Sequence, residues 1–309
     1  MSEYHSPIMV NEVVEGLAVK SGGIYFDGTE GGGSHSYAIL EKNPTARLVG
    51  TDKDREAIEE ATRRLALFEG RFKLYHTDFK NYQEVFTQEG IDGIDGFLLD
   101  LGISSHQIDD ETRGFAYRLK DAPLDMRMNQ AQTLSASQVV NTYPESELKR
   151  ILKEYGEERF AGAIAKSIVK FREREQIQTC GQLERIAREA MPAKFRGAAC
   201  ARQSFQAIRI EVNGELEGLE QCVRGLVERL KKGGRGCILT FHSLEDRIVK
   251  QTFKDLATGC TCPKEFPVCV CGRHEQVKLL GRFTASEREI KENSRSKSAK
   301  LRIIEKISE

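Results

Sequence analysis

Gly23-Ile24-Tyr25-Phe26-Asp27-Gly28-Thr29-Glu30-Gly31-Gly32-Gly33-Ser34-His35 reads as a short apolar strand ending in an acid, then a glycine-rich turn, then the start of a helix. Glycines let the backbone turn tightly and approach a ligand, and a fresh helix offers unpaired N–H groups. A second strand, Ala46 to Asp52, also ends in an acid, twenty-five residues after Asp27. A βαβ nucleotide-binding unit puts there the carboxylate that holds ribose hydroxyls. The combination points to a nucleoside-cofactor site, where the glycines alone would fit an ordinary tight turn.

The turn also separates one cofactor from another. A dinucleotide site needs Gly-x-Gly-x-x-Gly under a pyrophosphate. Here the third glycine of that pattern is Ser36, and Asp27 would face phosphates of like charge. S-adenosylmethionine carries no phosphate, and its methionine end has an ammonium that an acid can accept. The local chemistry favours a methyl donor over NAD.

Outward from this unit the alternation continues. A helix is predicted near 54–69, a strand over 72–78, a helix near 80–89 and a strand over 93–100. Strands alternating with helices imply a parallel sheet covered on both faces, with ligands at the carboxyl ends of the strands. Asp27, Asp52, Asp78 and Asp100 all fall at such ends. From about 108 to 215 the signals turn helical, over 145–155, 157–174, 180–190 and a long run 204–231. A fifth strand, 235–242, follows, then two more, 276–282 and 299–307, suited to an antiparallel pair at the sheet edge. Residues 1–107 and 216–309 are therefore expected to form one α/β domain, with 108–215 an inserted helical domain.

Composition fits a soluble cytoplasmic enzyme. Of 309 residues, 39% are apolar, enough for a sizeable core, and 30% are charged. No apolar run approaches a membrane span and no signal peptide opens the chain. The 47 basic and 47 acidic residues cancel, so any nucleic-acid contact must come from a local patch. Segment 282–302, with seven basic and three acidic residues, is one such patch, or else a solvated edge. Cys180, Cys200, Cys222 and Cys237 read as reduced thiols. Cys260, Cys262, Cys269 and Cys271 form C-x-C-(x6)-C-x-C. Three readings stay open for them: reduced loop thiols, a zinc site made harder by pairs tighter than the usual C-x2-C, and a disulfide.

Several strings are too particular for filler: Asp100-Leu-Gly-Ile-Ser-Ser-His-Gln107, Pro123-Leu-Asp-Met-Arg-Met128, Gly156-Glu-Glu-Arg-Phe160, Ser204 to Asn213, Phe241-His-Ser-Leu-Glu-Asp-Arg247 and Asn293 to Arg302. With Tyr4-His-Ser-Pro7 they resemble, over nearly the whole chain, the bacterial ribosomal RNA small subunit methyltransferase H family. The resemblance implies a Rossmann-like class I methyltransferase sheet with an inserted all-helical domain of substrate-recognition role. It implies S-adenosyl-L-methionine as cofactor, N4 of a cytosine in 16S rRNA as methyl acceptor and the small ribosomal subunit as partner. Carried over by position, the cofactor contacts are Gly33, Ser34, His35, Asp52, Phe79, Asp100 and Gln107. Two positions depart from the family pattern: Ser34 stands where a glycine is usual, and Ala199-Cys-Ala-Arg-Gln203 lacks the usual His, Pro and one Arg.

The implied chemistry is direct displacement by an exocyclic amine whose lone pair is delocalised into the ring. Acceptors for its N–H groups would localise that pair. Asp100 and the Leu101 carbonyl hold the corresponding place, and Phe115 or Tyr117 is offered to stack the base. No active-site metal is assigned. Met126 and Met128 read as packing residues, and His242, Ser243 and Asp246 as a structural turn, not a hydrolase triad. Other functions kept in view are an NAD-dependent oxidoreductase, a methyltransferase with a different RNA target, and a catalytically silent rRNA-binding assembly factor.

Overall fold

A computed structural model of the chain describes residues 7–197, 200–263 and 270–309. Tyr4 to Ser6, Ala199 and Cys269, singled out above, lie outside the described residues.

The chain forms two compact units, residues 1–102 with 218–309, and residues 103–217. The boundaries expected at 107/108 and 215/216 fall at different residues. The first unit opens with α1 (Val10–Leu17), β1 (Ile24–Asp27), α2 (Ser34–Lys42), β2 (Arg47–Asp52), α3 (Arg55–Leu65), β3 (Phe72–His76), α4 (Tyr82–Glu89) and β4 (Ile94–Asp100). Asp54 caps α3 by accepting the Glu56 N–H at 3.1 Å. The helix gives way to a 3-10 turn at Ala66, short of the expected 69.

The inserted unit is helical: α5 (Ser105–Asp109), α6 (Ala136–Thr142), α7 (Glu145–Glu154), α8 (Ala161–Arg172), α9 (Cys180–Ala190) and α10 (Arg202–Asn213). Its buried residues recur at helical spacing, Leu148, Ile151 and Leu152 on α7 and Ile164, Ala165 and Ile168 on α8, and they share one core with Leu183 and Ile208. Ser135 with Gln138, and Thr179 with Gln182, form reciprocal capping boxes. The Pro123–Met128 string is a clamp. Asn213 Nδ2 donates to the Met126 carbonyl at 2.8 Å, and its Oδ1 accepts the Met128 N–H at 2.8 Å. That clamp holds Met126 in the core at a left-handed φ of 61°. Phe115 also lies in this core, 7% exposed, so its ring offers no stacking surface, while Tyr117 packs edge-on against Phe205.

The long helix expected over 204–231 is two helices. Gly214 and Gly218 adopt left-handed φ values of 55° and 67° and divide α10 from α11 (Leu219–Arg229). A glycine in that conformation ends a helix because the last carbonyls turn back onto its N–H, here those of Glu211 and Ile210. The chain then returns to the first unit through β5 (Leu230–Thr240), α12 (Ser243–Leu256), β6 (Val277–Thr284), α13 (Glu287–Glu292) and β7 (Lys300–Lys306). Strand β5 begins five residues early because Leu230 already pairs with Ile94 before the ladder resumes at Gly96 opposite Arg235.

The seven strands lie in the order β3-β2-β1-β4-β5-β7-β6. The first five are parallel, and β7 runs antiparallel to both β5 and β6, as expected of the edge pair and of the class I methyltransferase sheet. Successive strand residues enter opposite cores. Tyr25, Leu48, Leu98, Leu239 and Ile303 join α1 and α2 on one face, and Phe26, Val49, Leu99, Ile238 and Ile304 join α4, α11 and α12 on the other. Burial on both faces explains why these strands read as unbroken apolar runs. Chain order runs outward from β1 in both directions, which leaves the ligand crevice of an open sheet at the carboxyl ends of β1 and its neighbours. Among the described residues no helix is long and apolar enough to cross a membrane.

Candidate active site

Strand β1 delivers Asp27 to that crevice, where its carboxyl is 1% exposed. One oxygen accepts the Thr29 N–H at 3.0 Å, and the other lies 3.2 Å from Ser36 Oγ at the start of α2. The same hydroxyl lies 2.7 Å from Glu30 Oε2. A hydroxyl has one proton to donate, so both contacts are hydrogen bonds only when one of the acids keeps its own proton. Burial drives both acids that way. Asp27 is pushed up to about 7 and Glu30 well above its usual range, the latter raised further by Asp27. Glu30 Oε1 is buried without a hydrogen-bond partner.

The turn after Glu30 is shaped by Gly33, at a left-handed φ of 78°, where an added Cβ would stand 3.1 Å from Ala61 Cα of α3. The turn presents the Gly31 N–H to Asp52 Oδ2 at 2.8 Å, and Asp54 N–H reaches Asp52 Oδ1 at 2.8 Å. Each Asp52 oxygen keeps a free lone pair, and burial lifts this carboxyl to about 6. The Ser34 hydroxyl accepts from Arg64 of α3.

His35 is buried, with Nε2 3.0 Å from the Ile8 carbonyl. A carbonyl only accepts, so Nε2 carries the hydrogen. Burial lowers this histidine to about 4, so at neutral pH Nδ1 is a bare lone pair. It stands 3.7 Å from Asp100 Oδ2. Asp100, at the end of β4, donates its backbone N–H to Thr29 Oγ1 at 2.5 Å. Its Oδ1 is buried without a partner. Burial, then the nearby Asp27 and Glu245 carboxyls, push Asp100 well above the carboxylate range.

Phe79 opens the 3-10 turn after Asp78, packs against Gly28 at the end of β1, and has Lys80 Nζ 6.0 Å from its ring centroid. Asp78 itself is paired with Lys53 at 2.8 Å. Gln107 belongs to the inserted unit, where its side-chain oxygen accepts the Ser104 N–H at 3.1 Å and completes the cap of α5. Asp246 is held by Lys300 at 2.9 Å and Arg302 at 2.7 Å, the structural role expected of it.

Gly33, Ser34, His35, Asp52, Phe79 and Asp100 thus gather around the carboxyl ends of β1, β2 and β4. Sequence reasoning left out Glu30 and Ser36, although an acid set against three glycines was a visible signal. Among the described residues no lysine or arginine pairs with Asp27, Glu30, Asp52 or Asp100. Buried carboxyls without basic partners are costly and are relieved by protons or by a cationic ligand. A pyrophosphate would only add to the repulsion.

The sequence profile of the MraW methylase family matches residues 2–307. A "Ribosomal RNA small subunit methyltransferase H" of Geobacter sp. (strain M21) is 50% identical over 309 residues, 98% of this chain and 99% of the relative. One of the same description from Clostridium botulinum (strain Kyoto / Type A2) is 48% identical over 98% of this chain and 99% of its own. "Ribosomal RNA small subunit methyltransferase H 2" of Agathobacter rectalis is 47% identical over 98% of each.

Proposed function

The chain belongs to the MraW methylase family, and on that premise we propose that it transfers a methyl group from S-adenosyl-L-methionine to N4 of a cytosine in 16S rRNA. The observation that carries the reading is a group of four carboxyls without basic partners, Asp27 and Glu30 buried and Asp52 and Asp100 half-buried, in which Glu30 and Asp100 each leave a buried oxygen unsatisfied. S-adenosylmethionine brings a sulfonium and an ammonium, and when bound it supplies the methyl group. Asp27 and Glu30 suit its positive charge. Asp52, with a lone pair free on each oxygen, suits the ribose hydroxyls. Phe79 stands at the same strand ends for the adenine, and the Gly31–Gly33 turn allows close approach.

In this reading Asp100 Oδ1 accepts a hydrogen bond from the exocyclic amine and draws the lone pair onto nitrogen. Methyl transfer leaves a surplus proton on that nitrogen, and Asp100, whose affinity for protons is raised, takes it. His35 is a positioning residue. Its ring stands 3.7 Å from Asp100 Oδ2 and limits how that carboxyl can turn, which leaves Oδ1 toward the substrate. The inserted helical unit is assigned substrate recognition, with Gln107 at its start and exposed Arg202 at the head of α10.

The test is transfer of radiolabel from S-adenosylmethionine to unmethylated small ribosomal subunits, with the product mapped by nuclease digestion and mass spectrometry. The expected label lies on N4 of one cytosine. A label elsewhere in the RNA would leave the transferase and overturn its target. Tight S-adenosylhomocysteine binding with no label would identify the silent assembly factor instead.

A further inference from the structure

We propose that Cys260, Cys262 and Cys271, which lie between α12 and β6, hold a structural zinc ion. In the sequence the tight C-x-C pairs make a tetrahedral site harder to close than the usual C-x2-C spacing. The fold removes that objection. The three sulfurs lie within 4.8 Å of one another, with Cys260 Sγ and Cys271 Sγ, eleven residues apart in sequence, separated by 3.7 Å. Two zinc–sulfur bonds of about 2.3 Å at a tetrahedral angle span about 3.8 Å between sulfurs. A disulfide would need about 2.05 Å. Cys262 Sγ accepts the Val270 N–H at 3.4 Å, and a backbone donor of this kind favours the thiolate that a metal requires.

The local charges suit a cation. Arg273, two residues after Cys271, is turned onto Asp255, which also holds Arg224 at 2.7 Å. The ends of the loop are tied together, with Gln276 N–H donating to the Leu256 carbonyl at 2.9 Å. A cluster of soft thiolates selects zinc or an iron–sulfur centre among common metals. Zinc is the assigned metal, as a tie between the two ends of the segment that joins α12 to β6. Cys260 is exposed and the other two half-exposed.

The experiment uses the full chain, purified under reducing conditions. Elemental analysis is expected to find one zinc per chain. Cobalt added to the metal-free protein is expected to give the near-ultraviolet thiolate charge-transfer band of a tetrahedral site. Cys260→Ser and Cys271→Ser each weaken metal binding more than about tenfold, and Cys200→Ser leaves it unchanged. Should a variant fail to fold, the wild-type cobalt spectrum still decides the question. Absence of a metal on the reduced wild type, iron with visible absorption, or a Cys260→Ser variant that binds as before would each overturn the site.

Discussion

His35 Nδ1 faces Asp100 Oδ2 across 3.7 Å, with its other ring nitrogen spent on the Ile8 carbonyl. The pair joins the start of α2 to the end of β4, and its function follows from its protonation. A histidine lowered to about 4 is an acceptor at neutral pH, and an aspartate raised well above its usual range is a ready proton holder. Replacing His35 with alanine is expected to lower kcat about tenfold to a hundredfold, with a smaller change in S-adenosylhomocysteine affinity. Asparagine at 35 is expected to rescue part of the loss, and equal loss of binding and turnover would refute a positioning role.

Asp100→Asn removes the proton acceptor while keeping shape and hydrogen-bond capacity. Single-turnover methyl transfer is expected to slow by about 10²–10⁴-fold. In the wild type, turnover requires Asp100 unprotonated, so the rate is expected to fall as pH drops through the raised value of this carboxyl. A flat acid limb in the wild type would remove Asp100 from the proton step.

Glu30→Gln tests the cationic preference of the site. A neutral amide keeps the Ser36 contact and removes a carboxyl that costs free energy either to ionise in the core or to hold protonated at pH 7.5, so the ligand-free chain is expected to gain about 1–3 kcal/mol of stability. Calorimetric binding is expected to weaken more for S-adenosylmethionine, which bears a sulfonium, than for S-adenosylhomocysteine, which does not. Equal losses for the two ligands would show that Glu30 does not read the charge.

Folding stability should carry the same signature. With Asp27 raised to about 7 and Asp52 to about 6, the folded chain holds more protons than the unfolded one between their ordinary range and about pH 7. Their contribution to stability is therefore greatest at the acid end of that window and is lost as pH rises through it. Ligand-free Tm attributable to these groups is expected to decline from pH 5 to pH 7.5, and Asp27→Asn to flatten the decline. An unchanged slope in that variant would place the burden elsewhere.

Gly50→Ala probes the packing beneath the turn. A Cβ at position 50 would stand 2.2 Å from Glu30 Oε2, so Glu30 must move. Loss of S-adenosylmethionine binding with a circular dichroism spectrum like wild type is expected. Full affinity would mean that Glu30 can leave its place at no cost to the site.

Much of this architecture was legible because the signals were local and mutually consistent. Asp27, Asp52 and Asp100 end three parallel strands as their sequence positions implied, and the antiparallel edge pair follows from two late apolar runs. Other features were less accessible. Gly214 and Gly218 interrupt what reads as one amphipathic run, since spacing of apolar residues alone does not show which glycine turns left-handed. Glu30 does not end a strand, so its position does not set it apart, and its burial depends on α2 folding back to bring Ser36 over it. Gln107 follows Asp100 closely in sequence, yet its side chain is engaged in a helix cap within the inserted unit. The packing of Phe115 into a helical core was hidden for the same reason, because burial is a tertiary property.

Leu98 of β4 and Cys237 of β5 are register partners, although the whole inserted unit separates them along the chain. During synthesis β1 to β4 emerge first, and β4 leaves the exit with one edge unpaired. That edge must stay soluble until β5, and behind it β7, arrives. An inserted segment that folds early shortens the effective loop to be closed and lowers its entropic cost. The order of events in folding is therefore built into the strand order, and the slow step expected is the docking of β5, which a truncation before residue 230 would never reach.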